Sequence, residues 1–290
     1  MDQTIGAALR RARQRLQDLP SSSSSREASL LLGHLLGYSE AQLLARTSEP
    51  LSPEVARDLE TLVARRLGGE PVAYLLGRRE FYGREFYVDS RVLIPRPETE
   101  HLVEAALDTG DLPPEPLILD VGTGSGCLAV TLALELPKAR VVATDLSLAS
   151  LAVARINAGR HGVAERVRLV ACDLLGAVEL DGVSLLLSNP PYVAPEDATA
   201  LPPDVRDFEP HLALFAPHHG LAVLSRLLEE GKGLARHARV MVEIGYGQLG
   251  EVRSLAELSG WKVIREITDY GGIPRTVVFA RSSEAEGKDD

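Results

Sequence analysis

Cysteine is nearly absent: Cys127 and Cys172 are the only two, too few for a disulfide framework, so a reducing, cytoplasmic setting is the expectation. No apolar run reaches the roughly 18 residues that a membrane-spanning helix needs. The N-terminal stretch lacks the uninterrupted apolar core and small-residue cleavage site of a signal peptide. Lysine occurs only at positions 138, 232, 262 and 288, which leaves arginine to carry nearly all the positive charge. Even so, 31 basic residues stand against 41 acidic ones, and a net charge of −10 argues against holding duplex nucleic acid by broad phosphate neutralisation. Asparagine occurs twice, as Asn157 and Asn189. An asparagine kept in such a chain invites a reason.

What is present is ordinary globular material: 290 residues, 45% hydrophobic and 25% charged, enough for one large domain or two smaller ones. Residues 1–80 read as a small helical domain, nearly balanced in charge with 11 basic and 10 acidic side chains. Ile5, Ala8, Leu9, Ala12 and Leu16 form one helical stripe. After a polar break at Ser21–Ser25, where Ser25 is a candidate cap, a second helix spans Glu27–Leu36. A further helix opens at Ser52-Pro53 and closes at Gly68-Gly69, with Val55, Leu59, Leu62, Val63 and Leu67 as its stripe. Residues 81–96 are aromatic and β-branched around turn residues, a β-hairpin linker. From residue 97 to 282, strands at 117–121, 140–144, 166–172, 183–188, 239–244, 262–268 and 275–281 alternate with helices at 98–109, 126–135, 147–161, 220–236 and 247–259. Such alternation predicts an α/β fold with a mainly parallel sheet covered on both faces. Residues 283–290 read as a disordered tail.

Two motifs carry the chemistry. Asp120-Val121-Gly122-Thr123-Gly124-Ser125-Gly126 follows an apolar strand and opens a helix, so its backbone can approach a ligand closely. It departs from the dinucleotide fingerprint, because the third glycine arrives one residue early. Asp145, at the end of the next strand, can accept two ribose hydroxyls, with helix capping as the alternative. Asp173 ends the third strand, and Leu174 after it could line an adenine face. The second motif, Asn189-Pro190-Pro191-Tyr192, ends the fourth strand on a rigid, extended backbone. An amide or ring amine is a poor nucleophile with N–H donors. The Asn189 side-chain oxygen and the Pro190 carbonyl can accept those hydrogens and aim the nitrogen, while Tyr192 offers a flat face and Pro191 stiffens the clamp. His218-His219 have no partners at zinc spacing, so no metal is expected.

The glycine loop resembles motif I of the class I S-adenosylmethionine-dependent methyltransferases, and Asn-Pro-Pro-Tyr is shared by enzymes that methylate adenine amines and by those that methylate glutamine amides. Residues 71–77 (PVAYLLG), 79–83 (REFYG) and 93–100 (LIPRPETE), with Phe208-Glu209-Pro210, Asp269-Tyr270-Gly271 and Arg275, resemble the release-factor glutamine N5-methyltransferases, the PrmC/HemK family. The resemblance implies a Rossmann-like class I methyltransferase domain with a seven-stranded sheet, behind a helical substrate-recognition domain. It implies S-adenosylmethionine at Gly122–Gly126, Asp145, Asp173, Leu174 and Asn189, with S-adenosylhomocysteine as product. The substrate would be the glutamine of a Gly-Gly-Gln tripeptide in a class I peptide-chain release factor, held by Asn189, Pro190, Pro191 and Tyr192. Some relatives carry a large aromatic where this chain has Leu174. With prolines on both sides, Arg96 is read as part of a rigid interdomain wall, with substrate positioning as the alternative. Two alternatives stay open: an adenine N6-methyltransferase, which the charge fits poorly, and a non-enzymatic protein that binds the cofactor and docks on a translation partner.

Overall fold

The computed structural model describes residues 4–17, 19 and 24–282, so most of the Ser21–Ser25 break and the expected tail at 283–290 lie outside the described residues. The chain divides into two compact units. Of the described residues, one unit holds those up to Arg78 together with Pro202–Phe208; the other holds Arg79–Leu201 and those from Glu209 to Ser282.

The first unit has helices at Ile5–Leu16, Ser24–Leu36, Glu40–Ala45, Pro53–Leu67 and Val72–Leu76. All five residues of the first stripe are buried in one apolar cluster with Leu31, Leu32, Leu43 and Leu59. Ser52 caps the fourth helix as expected, its hydroxyl accepting from Val55 N at 3.2 Å. Ser25 is not a cap: the second helix already begins at Ser24, and the Ser25 carbonyl accepts from Ser29 Oγ. Leu67 is exposed, one position beyond the buried stripe. Arg66 is buried and forks onto the Glu27 carboxylate at 2.9 and 3.2 Å, with Asp204 3.9 Å away. A Cβ at Gly69 would sit 3.0 Å from the Phe208 ring. These contacts recruit Pro202–Phe208, so the expected division at residue 80 is corrected: the unit ends at Arg78 and takes in a later stretch of chain.

The second unit opens with a hairpin, β1 (Arg79–Phe81) and β2 (Arg84–Phe86), turned by Tyr82 and Gly83, both at positive φ as a two-residue hairpin loop requires. The expected hairpin over 81–96 is thus shorter and earlier, and residues 87–96 form no strand. It belongs to this unit because Phe81 and Phe86 are fully buried in the unit's core. The main sheet comprises β3 (Leu117–Val121), β4 (Arg140–Asp145), β5 (Val167–Ala171), β6 (Val183–Ser188), β7 (Arg239–Glu243), β8 (Trp261–Thr268) and β9 (Pro274–Arg281), in the order β5-β4-β3-β6-β7-β9-β8. All pairings are parallel except those of β9, which runs against both neighbours. This is the mainly parallel seven-stranded α/β sheet that the alternation predicts.

Burial follows the period of two. Ile118, Val141, Leu185 and Leu187 face one cluster, with the helices Glu100–Leu107 and Cys127–Glu135. Leu119, Val121, Leu186 and Val240 face the other, with the helices Ala222–Glu230 and Leu249–Leu258. Every residue of β6 is buried, as a central strand covered on both faces demands. Strand order reverses between β3 and β6, the place where open α/β sheets bind ligands at the carboxyl ends of the strands. Val121 and Ser188 are partners in register, so the segments beginning at Gly122 and Asn189 leave the sheet side by side. None of the helices among the described residues is long and apolar enough to cross a membrane.

Candidate active site

A cavity of about 360 Å³ opens at that reversal, a size suited to a small organic ligand. It is lined by Gly122, Thr123, Gly124, Ser125, Asp145, Asp173, Leu174, Asn189, Pro190 and Pro191, which brings together residues from four strand ends. Two residues expected at the site stand back from it. Gly126 is not in the lining; it closes the turn at φ 79°, where a Cβ would meet Ala154 at 3.0 Å. Tyr192 is not in the lining either, and its hydroxyl points to Glu243 at 3.3 Å.

The glycine loop is held from beneath. Asp120 Oδ2 accepts from Thr123 Oγ1 at 2.6 Å and from Ala129 N at 3.1 Å. Complete burial pushes its carboxyl up to about 6. Gly122 and Gly124 have φ of 75° and 55°, and a Cβ on either would project into open space. Both therefore present bare backbone to the cavity. Asp145 accepts from Gly124 N at 2.9 Å and Ser147 N at 2.8 Å, one bond on each oxygen. Burial nevertheless pushes its carboxyl upward. The helix-capping alternative for Asp145 fails, because Ser147 is the cap of Leu148–Arg160, accepting from Ser150 N. Each Asp145 oxygen keeps lone-pair capacity for a sugar hydroxyl. A Cβ-free cradle beside such a carboxylate fits the amino-acid and ribose parts of S-adenosylmethionine. Asp173 forms an exposed pair with Arg226 at 2.9 Å, and Leu174 sits at φ 46° with its carbonyl accepting from Thr144 Oγ1.

Asn189 Nδ2 donates to Thr99 Oγ1 at 3.1 Å, and Thr99 Oγ1 donates to Glu243 Oε2 at 2.6 Å. Asn189 Oδ1 has no partner among the described residues. Beyond the prolines, Gln248 donates to the carbonyls of Tyr192 and His219, at 2.9 Å each, and accepts from Gly245 N at 2.8 Å. Arg96 lines the cavity and pairs with buried Glu209 at 2.5 Å; the second Glu209 oxygen accepts from Ile94 N. That arrangement pins residues 94–96 within their own unit. Thr99, Glu243 and Gln248 lie outside both the glycine loop and the Asn-Pro-Pro-Tyr sequence. The available signal was Glu243 itself, a carboxylate ending the otherwise apolar Val240-Met241-Val242 run. Asn157, the other asparagine, is fully buried and bonds the backbone of Tyr87 twice and the Ser125 carbonyl once. His218 and His219 lie in a loop, both at positive φ, and no group of metal-ligating side chains occurs among the described residues.

A parallel sheet with a reversed penultimate strand, and a ligand cavity at its switch point, is the architecture of the class I methyltransferases. The hMettl16 catalytic domain, solved in complex with the MAT2A 3'UTR hairpin 6, shares the fold at a TM-score of 0.57 and 15% identity, over 80% of this chain and 84% of that one. Residues 7–77 match the PrmC N-terminal domain, and residues 99–201 match the methyltransferase small domain. The chain is 42% identical to the release factor glutamine methyltransferase of Cereibacter sphaeroides, over 93% of this chain and 96% of that protein. It is 45% identical to the one of Bordetella pertussis, over 86% of this chain and 92% of that protein. The chain belongs to the release factor glutamine methyltransferase family.

Proposed function

We propose that the protein methylates the side-chain amide nitrogen of the glutamine in the Gly-Gly-Gln motif of class I peptide-chain release factors, with S-adenosylmethionine as donor. The observation that carries the reading is the Asn189 carboxamide: its nitrogen is committed to Thr99, and its oxygen is left to accept. A glutamine amide nitrogen has its lone pair delocalised and brings two N–H donors. Asn189 Oδ1 takes one of them and the Pro190 carbonyl the other, which orients the nitrogen and favours the positive charge it gains. S-adenosylmethionine supplies an activated methyl group when bound. Gly122–Ser125 and Asp145 would hold it, and Asp173 and Leu174 would border its adenine. Tyr192 supports the clamp through Glu243. The first unit recognises the body of the release factor, since a tripeptide offers little contact area. The reading places the protein in the cytoplasm with its substrate, with no metal or nucleic acid needed.

The test is incubation of purified protein with S-adenosylmethionine and a release factor, followed by peptide mass spectrometry. One methyl group should appear on the motif glutamine. Asn189→Ala should lower the rate by about 10²- to 10³-fold with the fold intact. Folded, cofactor-bound protein that leaves every release factor unmodified would refute the proposal.

A further inference from the structure

We infer that Glu243, acting through the Thr99 hydroxyl, dictates which face of the Asn189 carboxamide meets the substrate and is a positioning residue of the transfer site. The inference rests on the proposed role of Asn189. A threonine hydroxyl has one proton and two lone pairs. Thr99 is buried, and while Glu243 is ionised the threonine proton goes to Glu243 Oε2 at 2.6 Å, a short charge-assisted bond. Only lone pairs remain to face Asn189, 3.1 Å away. The amide must therefore turn its NH₂ toward Thr99. The reverse orientation would set Oδ1 against the Thr99 lone pairs and leave the NH₂ where the substrate's own N–H donors arrive.

The groups around Glu243 come from four elements. Glu98 and Thr99 lie on the turn Pro97–Thr99, Tyr192 lies beyond β6, Arg275 lies on β9, and the buried Cys127 thiol, which burial holds in its neutral form, opens the helix Cys127–Glu135. Arg275 is engaged with Asp269 at 3.1 Å and does not form an ion pair with Glu243. Burial, reinforced by Glu98 and opposed by Thr99, Tyr192 and Arg275, pushes the Glu243 carboxyl up to about 7. Once protonated, Glu243 can itself donate to Thr99. The threonine proton is then free to point at Asn189, which accepts it by turning its amide over. Lower pH thereby converts the acceptor at the substrate side into a donor.

The composition supplies a probe. With only two asparagines in the chain, selective ¹⁵N-asparagine labelling yields two side-chain NH₂ pairs, and the pair that remains in Asn189→Ala is that of Asn157. In the wild type the Asn189 pair should shift as pH crosses about 7. The shift should persist in Thr99→Ser and vanish in Thr99→Val and Glu243→Gln. In methyl transfer, Thr99→Val should lower kcat about 10- to 100-fold with little change in KM, and Thr99→Ser should restore most of it. In an Asn189→Ala background, Thr99→Val should cost nothing further, whereas a merely structural threonine would add its loss. An Asn189 pair that titrates normally in Thr99→Val, or losses that multiply in the double variant, would overturn the inference. A wild type that shows the titrating pair but methylates no release factor would remove the substrate reading and uphold the orientation claim.

Discussion

Asn157→Ala removes a side chain that ties the glycine loop to the chain leaving the hairpin. The wild-type carboxamide is fully buried and makes three hydrogen bonds: Tyr87 N to Oδ1 at 2.8 Å, and Nδ2 to the carbonyls of Tyr87 at 2.9 Å and Ser125 at 2.8 Å. Alanine leaves one amide and two carbonyl groups without these partners. Each stranded buried group costs about 1–3 kcal/mol. Allowing for partial relaxation, the sum is roughly 3–5 kcal/mol, a large share of the 5–15 kcal/mol that typically holds a domain together. Trp261, the single tryptophan, is buried in the second unit, so its fluorescence in a urea titration reports that unit's unfolding. The expected result is a lower midpoint at unchanged slope. Asn157→Asp adds a signature: it retains the acceptor for Tyr87 N, but its second oxygen faces two carbonyls and fits only when protonated. Its deficit should shrink as pH falls. A loss below about 1 kcal/mol in Asn157→Ala would refute the staple argument.

Gly220→Ala would place a Cβ 2.0 Å from the Tyr192 carbonyl at a φ of 83°. The Asn-Pro-Pro-Tyr exit must then shift, and methyl transfer should fall at least about 10-fold, read in the peptide assay, since small misplacements are costly at a reacting centre. Glu243, raised from 4.5 to about 7 by burial, and Asp120, raised to about 6, both bind protons more tightly folded than unfolded. Their contribution to stability is therefore present at acid pH and is lost as pH rises from about 4 to about 7. Urea midpoints compared at pH 5 and pH 8 should show a smaller fall in Glu243→Gln than in wild type, by roughly 2–3 kcal/mol.

The seven strands were legible because β3 and β6 are apolar runs bounded by glycine or proline, and their ranges match to within a residue or two. The helices Glu40–Ala45 and Val72–Leu76 are not legible in the sequence, because five or six residues are too few to display a helical period. The glycine loop, Asp145 and Asn189 could be placed together because each ends a strand of one sheet. Thr99, Glu243 and Gln248 could not. The polar contact between Asn189 and Thr99 spans 90 residues of sequence, and nothing local in either neighbourhood announces it. Tyr192 shows the same limit from the other side: its place in the motif says nothing of the carboxylate its hydroxyl meets, which is supplied by β7.

The stretch Pro202–Phe208 counts with the helices of the first unit although it is encoded beyond β6. A gene fragment starting at residue 79 would strip that stretch of the surroundings that Arg66 and Gly69 give it. Grafting a relative's helices onto this sheet by a single splice would set foreign side chains against it. A workable chimera has to exchange both pieces at once, because these seven residues travel with the helices and not with the sheet that encloses them in sequence.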